Sequence, residues 1–383
     1  MDYIEVKQHK NEYRICARCV MDTSDPEITF NDLGLCNHCR RVEANYVNKR
    51  WFPNDGGKAK LDLIIEKIKR EGAGKEYDSI MGLSGGVDSC YMASLVKDYG
   101  LRPLVVHVDC GWNSEIAVNN IENVVKKLGF DLFTYVVDWE EMRDLQVAFM
   151  RSGVINQDIP QDHAIFAFLY NYAHKKGIRY VLSGNNYATE SILPRAWVNN
   201  PMDLSLLKAV HKRYGRKKLR TYPLISYLRY CYYVYLKKMR VIMILNYLPY
   251  NKAEAKKVVQ QELNWRDYGR KHHESRFTKF FQDYYLPQKY GYDKRRAHLS
   301  SLIVSGQITR DEALRQLEER LYPENELKED RAYFIKKLGL TEDEFVAILN
   351  APPKSPLDYS SDITMRKWGY KITSRLDRYL IKG

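Results

Sequence analysis

The 383-residue chain has no long uncharged apolar run. Its greasiest stretch, Tyr230 to Tyr250, is broken by Lys237, Lys238 and Arg240, whereas a bilayer-spanning helix needs about 20 largely apolar residues. Membrane insertion is therefore not expected, and the stretch reads as buried or interfacial. The opening residues, Met1-Asp2-Tyr3-Ile4-Glu5, lack a basic segment leading into an apolar one, so the expectation is a cytoplasmic chain without a signal peptide. Acidic residues are the scarcer charge: 48 Asp and Glu face 61 Lys and Arg, and the net charge of +13 favours anionic substrates or partners. Repeats and low-complexity tracts are missing. With 45% hydrophobic and 28% charged residues and 30 tyrosines, a disordered or fibrous chain is excluded. At roughly 150 residues per domain, the length suits two or three structural units.

Cysteines are few, seven in all, yet four fall into two tight pairs, Cys16-Ala17-Arg18-Cys19 and Cys36-Asn37-His38-Cys39. Two such knuckles suit tetrahedral zinc, since each presents two thiolates on a tight turn. Disulfides or redox pairs fit poorly in a chain with no export signal. His38 is an alternative ligand, but the four-thiolate set of Cys16, Cys19, Cys36 and Cys39 is already complete. A filled set leaves no open position for chemistry, so the metal is expected to staple a module too small to hold its own core. The segment Asp22 to Gly34 is expected to form a short hairpin that joins the knuckles.

Three regions follow: a zinc module over 1–50, an α/β domain over 51–226 and a mainly helical region over 227–383. Apolar spacing predicts a helix over Lys58–Glu71. Strand and helix then alternate: strand Asp78–Leu83, helix Asp88–Tyr99, strand Pro103–Asp109, helix Ser114–Leu128 and strand Asp131–Val137. Helices Trp139–Met150 and Asp162–Lys176 precede strand Ile178–Ser183, and Leu219–Ile225 is expected to add a last strand. This alternation predicts a parallel sheet with helices on both faces. Beyond Tyr227 helical spacing dominates, as in Ala313, Leu314, Leu317 and Leu321.

A Walker loop is absent, and so is the dinucleotide G-x-G-x-x-G fingerprint. In their place stands Ser84-Gly85-Gly86-Val87-Asp88-Ser89, between an apolar strand and a helix. Two glycines let the backbone approach a ligand closely, and the helix start aims free N–H groups at the same spot. The serines add hydroxyls, and Asp88 is placed to hold Mg²⁺ against phosphates. The hexapeptide resembles the PP-loop of ATP pyrophosphatases, which implies a HUP-type α/β layer and cleavage of ATP to AMP and pyrophosphate. Ser84, Gly85, Gly86, Val87, Asp88 and Ser89 are then the expected nucleotide contacts. Ligands of such sheets lie beyond the carboxyl ends of the strands. That adds Asp109 in His107–Asn113, near ribose and adenine in the resembled family, and Gly184 and Asn185 in Ser183–Asn186, near its reacting centre. His107 and Cys110 read as core residues.

Two C-terminal segments complete the set: Gly269-Arg270-Lys271-His272-His273-Glu274-Ser275-Arg276-Phe277-Thr278-Lys279-Phe280 and the run Gly291 to Ile303. On a helix, His272, Arg276 and Lys279 share one face, as do His273 and Arg276. Lys271, His272, His273 and Glu274 are candidate catalytic residues, and Arg276, Lys279, Lys294 and Arg295 candidate anion-binding ones; a solvated charged face is the plain alternative. Knuckles, PP-loop and these segments, in this order over about residues 13 to 350, resemble the N-acetyl sugar amidotransferase family. The resemblance implies that ATP adenylates the oxygen of a sugar acetamido group and that ammonia displaces AMP to leave an acetamidino group, in lipopolysaccharide O-antigen or flagellar glycan synthesis. The implied substrate is a nucleotide sugar or a nonulosonic acid. Asp2 stands where an N-terminal-nucleophile glutaminase needs Cys, and no G-x-C-x-G turn is present. A separate glutaminase subunit is therefore expected to supply ammonia, with Tyr227 to Arg240 either its docking surface or a partly buried helix. The alternatives are a zinc-containing PP-loop tRNA thiolase and a non-catalytic nucleotide-binding module. The basic stretch His211 to Arg220 suits the thiolase. Only the isolated Cys90, Cys110 and Cys231 remain for it, so nucleic acid is not the expected partner. Asp88 with two serines argues against mere binding.

Overall fold

The computed structural model describes residues 12–369, so Met1–Glu5 and Asp2, used above, lie outside the described residues. Five strands form one parallel sheet in the order β3-β2-β1-β4-β5. They are β1 (Ser79–Gly82), β2 (Pro103–Asp109), β3 (Leu132–Val136), β4 (Tyr180–Ser183) and β5 (Arg240–Met243). The expected HUP-type layer is present.

The strands read as continuous apolar runs because both faces of the sheet are covered. Met81, Val105 and Leu182 enter one core, with the helices Asp55–Glu71, Val87–Asp98, Glu115–Leu128 and Lys252–Leu263. Ile80, Leu104, Val106 and Val181 enter the other, with Trp139–Ser152, Ile159–Lys175 and Leu204–Tyr214. Polar caps set the helix starts. Asn54 accepts from the Gly57 N–H, so the first of these helices begins at Asp55 and not at Lys58. Ser114 caps in the same way, and that helix stops at left-handed Gly129.

The last strand is not Leu219–Ile225. Pro223 has no N–H to give a ladder, and the amides of Arg220, Thr221 and Tyr222 donate to the buried Glu141 carboxylate at 2.8 to 3.1 Å. Instead β5 pairs with β4 from within the greasy stretch, so the sheet takes its edge strand from beyond residue 226. Tyr227–Leu236, just before it, is helical. Among the described residues no helix is long and apolar enough to cross a membrane.

The zinc module shares the first core: Cys16, Met21, Val42 and Trp51 join Leu61 and Ile65. The C-terminal region is helical, as expected, with helices that include Lys294–Val304, Arg310–Glu318, Glu324–Leu338 and Glu342–Asn350. Ala313 is buried, while Leu321 lies outside the helix Arg310–Glu318. Trp112, Phe277, Phe280, Phe334 and Phe345 build a third, aromatic core that fixes this region against the loop after β2.

Candidate active site

The chain leaves β1 toward β2 on one side, and β4 enters on the other. The crevice between the carboxyl ends of β1 and β4 is thus the switch point where ligands of such sheets bind. The segments after these two strands are Ser84–Ser89 and Ser183–Asn186. They touch: a Cβ on Gly184 would lie 3.1 Å from the Ser89 backbone N.

Gly85 has φ +81°, and a Cβ there would sit 2.6 Å from the Ala117 carbonyl oxygen, so only glycine fits. Trp265 Nε1 donates to the Gly85 carbonyl at 2.8 Å and fixes the turn. Gly86 is the N-cap of Val87–Asp98 and brings no side-chain acceptor, which leaves the first amides of a 12-residue helix aimed at the crevice. The Gly86 N–H donates to Ser84 Oγ at 3.2 Å, and the Ser89 hydroxyl donates to the Gly86 carbonyl at 3.0 Å. The loop is an anion cradle.

Asp88 stands at its centre. Lys271 Nζ lies 3.2 Å from Asp88 Oδ2 and 2.8 Å from Glu190 Oε1, and donates to Thr189 Oγ1 at 2.9 Å. The Tyr250 hydroxyl donates to the other Asp88 oxygen. Burial pushes Asp88 up, but Lys271, Lys252 and Tyr250 outweigh it and hold the carboxyl below the usual range. Burial likewise disfavours the Lys271 cation, yet Glu190 and Asp88 outweigh it and raise its pKa. Both stay charged.

Glu274 closes the cradle. A Cβ on Gly86 would meet Glu274 Oε1 and the Tyr268 hydroxyl, each at 3.2 Å. Glu274 Oε2 is buried with no partner among the described residues, and Lys252 and Tyr268 each feel both Glu274 and Asp88. An orphaned carboxylate oxygen near Asp88 and the cradle suits a divalent cation, so Asp88 and Glu274 are the residues that would hold Mg²⁺. The Ser114 N–H donates to the Glu274 carbonyl, Asn113 bridges to Ser275, and the Arg276 N–H donates to the Trp112 carbonyl. The C-terminal segment is thereby laced onto the loop after β2.

The expected helical face through His272 does not form. Residues 269–274 are bends and turns, Ser275 is in the bridge to Asn113, His272 has φ +69°, and the helix starts only at Arg276. His272 turns toward Glu274, with Nδ1 3.8 Å from Oε1, and toward His298 at 5.4 Å between rings. His273 instead pairs with Asp283 at 2.9 Å. Arg276 and Lys279 both pair with Asp330, at 2.7 and 3.0 Å, and not with the Asp88 group. Arg295 binds Asp293 and the carbonyls of Gln316, Leu317 and Glu319, so its N–H groups are all taken and it braces a turn in place of holding substrate. Lys294 does face the site: Asp158, Asp162, Glu190 and Lys271 surround it, and burial lowers its pKa to about 8.

Asp109 accepts from the Gly111 N–H and the Asn113 side chain at 2.7 and 3.0 Å and so shapes its own loop. Asn185 is exposed at the crevice mouth. His107 bridges the Leu83 carbonyl and Asn113, and Cys110 is buried, so both are core residues. Thr189, Glu190, Tyr250, Lys252, Tyr268 and His298 escaped the sequence reading. Tyr250 and Lys252 follow a strand that was misplaced, which hid them. Glu190 lies just beyond the Ser183–Asn186 loop and was within reach of it.

The four knuckle cysteines are buried, and their sulfurs all lie within 4.8 Å of one another. Ideal tetrahedral zinc places its sulfurs about 3.8 Å apart, from Zn–S bonds of about 2.3 Å. The amides of Arg18 and Cys36 donate to Cys16 Sγ, and those of Met21 and Cys39 to Cys19 and Cys36, bonds that favour thiolates. Zinc fits. His38 pairs with buried Asp25 at 2.6 Å and is no ligand. Each knuckle is clasped by its own bridge, Ile15 to Asp22 and Phe30 to Cys36, so Asp22–Gly34 is not the expected hairpin.

The parallel sheet with the Ser84–Ser89 cradle at its switch point is the arrangement that the PP-loop resemblance implies. Residues 274–374 match the family model of the LPS biosynthesis protein WbpG-like C-terminal domain, and the match begins at Glu274, the residue against Gly86. This supports the resemblance to N-acetyl sugar amidotransferases. An uncharacterized protein of Methanocaldococcus jannaschii is 28% identical over 130 residues, 33% of this chain and 44% of that protein. The tRNA(Ile)-lysidine synthase of Thermus thermophilus is 29% identical over 108 residues, 28% of this chain and 20% of that enzyme. The chain thus spans less than half the length of these curated relatives. Among solved structures, the NH3-dependent NAD synthetase of Campylobacter jejuni aligns with a TM-score of 0.30 and 14% identity, over 41% of this chain and 72% of that one. The NMN synthetase of Francisella tularensis gives 0.29 and 17%, over 57% and 94%.

Proposed function

We propose that this chain is an ATP-dependent amidotransferase of surface-glycan biosynthesis that converts an acetamido group on a sugar to an acetamidino group. The observation that carries this reading is the position of the WbpG-like segment: its first residue, Glu274, stands against the phosphate cradle, so a substrate held by that region would meet the α-phosphate. The helix N–H groups, Lys271 and Lys252 bind the triphosphate. Asp88 and Glu274 would hold Mg²⁺, which would neutralise charge on the departing pyrophosphate. The amide oxygen attacks the α-phosphorus, pyrophosphate leaves, the amide N–H proton passes to solvent, and the resulting O-adenylyl imidate carries AMP as a leaving group. Ammonia then displaces AMP.

The thiols support an external source of that ammonia. Four are committed to the knuckles, burial pushes the Cys90 and Cys110 thiols up, far from an activated nucleophile, and Cys231 sits at the end of the helix Tyr227–Cys231 ahead of β5. A separate glutaminase subunit fits this chemistry. The reading is tested by AMP release from ATP-Mg with ammonium, across nucleotide-linked diacetamido sugars, acetamido nonulosonic acids and bulk tRNA. Sugar-dependent AMP with an amidine product supports it. AMP formed only with tRNA favours base modification instead, for which the exposed Lys212, Arg216, Lys217 and Lys218 suit a phosphate backbone.

A further inference from the structure

A second cluster lies beside the phosphate cradle, built from three elements. Asp158 and Asp162 occupy the first turns of the helix Ile159–Lys175, one turn apart, with the Asp162 N–H on the Asp158 carbonyl at 2.9 Å. Thr278, from the WbpG-like segment, donates to Asp158 Oδ1 at 2.9 Å. Lys294 opens its own helix and lies close enough for both carboxylates to act on its charge. Asp158 is held by Thr278, but among the described residues nothing hydrogen-bonds the Asp162 carboxylate, and no acidic oxygen lies within 4.0 Å of Lys294 Nζ. A carboxylate and an ammonium thus face the same space without pairing. That space adjoins the reacting centre, because Lys294 also feels Glu190 and Lys271, the partners of Asp88.

We infer that Asp162 is the proton acceptor for the nitrogen nucleophile and that Lys294 orients the group being attacked. This rests on the function proposed above. The nitrogen lone pair of ammonia forms the new bond to the imidate carbon. One of its protons passes to Asp162, and the C–O bond to AMP breaks with the electron pair leaving on the phosphate oxygen, which yields amidine, AMP and a protonated Asp162 that returns its proton to water. Burial, then the Asp158 charge beside it, raises the Asp162 pKa to about 8, so its ionised form, which dominates above that pH, is a stronger base than an exposed carboxylate. The titratable groups that feel it are Asp158, Lys294, the Cys110 thiol and the Tyr222 hydroxyl, the last two neutral; His272 acts on Asp158. The other candidate, half-buried His298, is kept neutral by desolvation and by His272, Lys271, Lys294 and Lys252, and its lowered pKa makes it a weak base.

The two half-reactions separate this role from the function itself. In the full-length protein, sugar-dependent pyrophosphate exchange into ATP without ammonium reports adenylation, and amidine formed on adding ammonium chloride reports nucleophile transfer. Asp162→Asn is expected to keep exchange within about threefold of wild type and to lose amidine formation by about 100-fold or more, the typical weight of a general base. Hydroxylamine, largely unprotonated at neutral pH and less in need of a base, is expected to restore much of the transfer in Asp162→Asn. Asp162→Glu, which keeps the carboxylate, is expected to retain most ammonium-dependent transfer and controls for folding. Equal loss of exchange and transfer in Asp162→Asn, with hydroxylamine unable to rescue, overturns the inference and makes Asp162 structural. Full transfer with ammonium in Asp162→Asn overturns it as well. Wild-type protein that shows no exchange with any sugar removes the proposed function first, and the inference with it.

Discussion

At the scale of single residues, the cradle works because a few side chains are held in unusual states. Asp88 and Lys271 are a half-closed ion pair inside the crevice, kept charged by each other and by Glu190 and Tyr250. The folded pKa of Asp88 is depressed, so its contribution to stability is present above the usual carboxylate range and is lost as pH falls through the depressed value. That of Lys271 is raised, so its contribution is present below the usual lysine range and is lost as pH rises through the raised value. Between these limits, about pH 5 to 9, the pair is fully ionised. Lys271→Met should therefore destabilise the fold by about 3–5 kcal/mol in that window, with little slope against pH, in urea unfolding followed by fluorescence. It should also depress AMP formation by at least tenfold, since a hydrogen bond to a charged group is worth about 1.5–3 kcal/mol. Gly85→Ala should be worse for nucleotide than for the fold. Its φ of +81° and the Ala117 carbonyl reject a Cβ, at a cost of about 1–3 kcal/mol, and the shifted turn should abolish ATP binding by calorimetry.

At the scale of elements, the zinc knuckles act as a staple between two distant parts of the chain. Arg310 Nε lies 3.3 Å from the Cys16 and Cys19 carbonyls, and Arg296 donates to the Val20 carbonyl at 2.9 Å, so C-terminal helices hold the knuckle backbone. The protein should carry one zinc per chain by elemental analysis. Cys36→Ser should remove it and lower the melting temperature by several degrees, because structural zinc contributes directly to folding. An unchanged melting temperature in the zinc-free protein would end the staple account. Arg295→Met tests the opposite assignment of a single arginine: it should cost about 1–3 kcal/mol of stability while leaving the substrate KM unchanged, because its guanidinium is spent on Asp293 and three carbonyls. Sequence spacing located most of these elements. It placed β2 to the residue, since Pro103 and the apolar run bound it, and the cradle was legible because its chemistry is local. It misplaced the last strand because a buried carboxylate, Glu141, took the amides of 220–222, and no sequence pattern reveals such a long-range acceptor. It drew His272 into a helix because spacing alone cannot see a left-handed turn.

At the scale of the whole molecule, three parts converge on one crevice. The sheet offers the cradle at its switch point, the WbpG-like region brings Glu274 against Gly86, and the helix Ile159–Lys175 presents Asp162 beside Lys294. The order of events in the sequence has a mechanical counterpart, because the segment after Gly269 is laced onto the loop after β2 by backbone bonds at Ser114 and Arg276. A C-terminal region so attached stays against the cradle, as the proposed adenylyl transfer between two bound reactants would require. The most direct test follows the oxygen. With substrate labelled by oxygen-18 in the acetamido carbonyl, incubated with ATP-Mg and ammonium, mass spectrometry should find the label in the phosphate of AMP and none in the amidine product. Label that stays with the sugar, or ATP cleaved to ADP, would contradict the account.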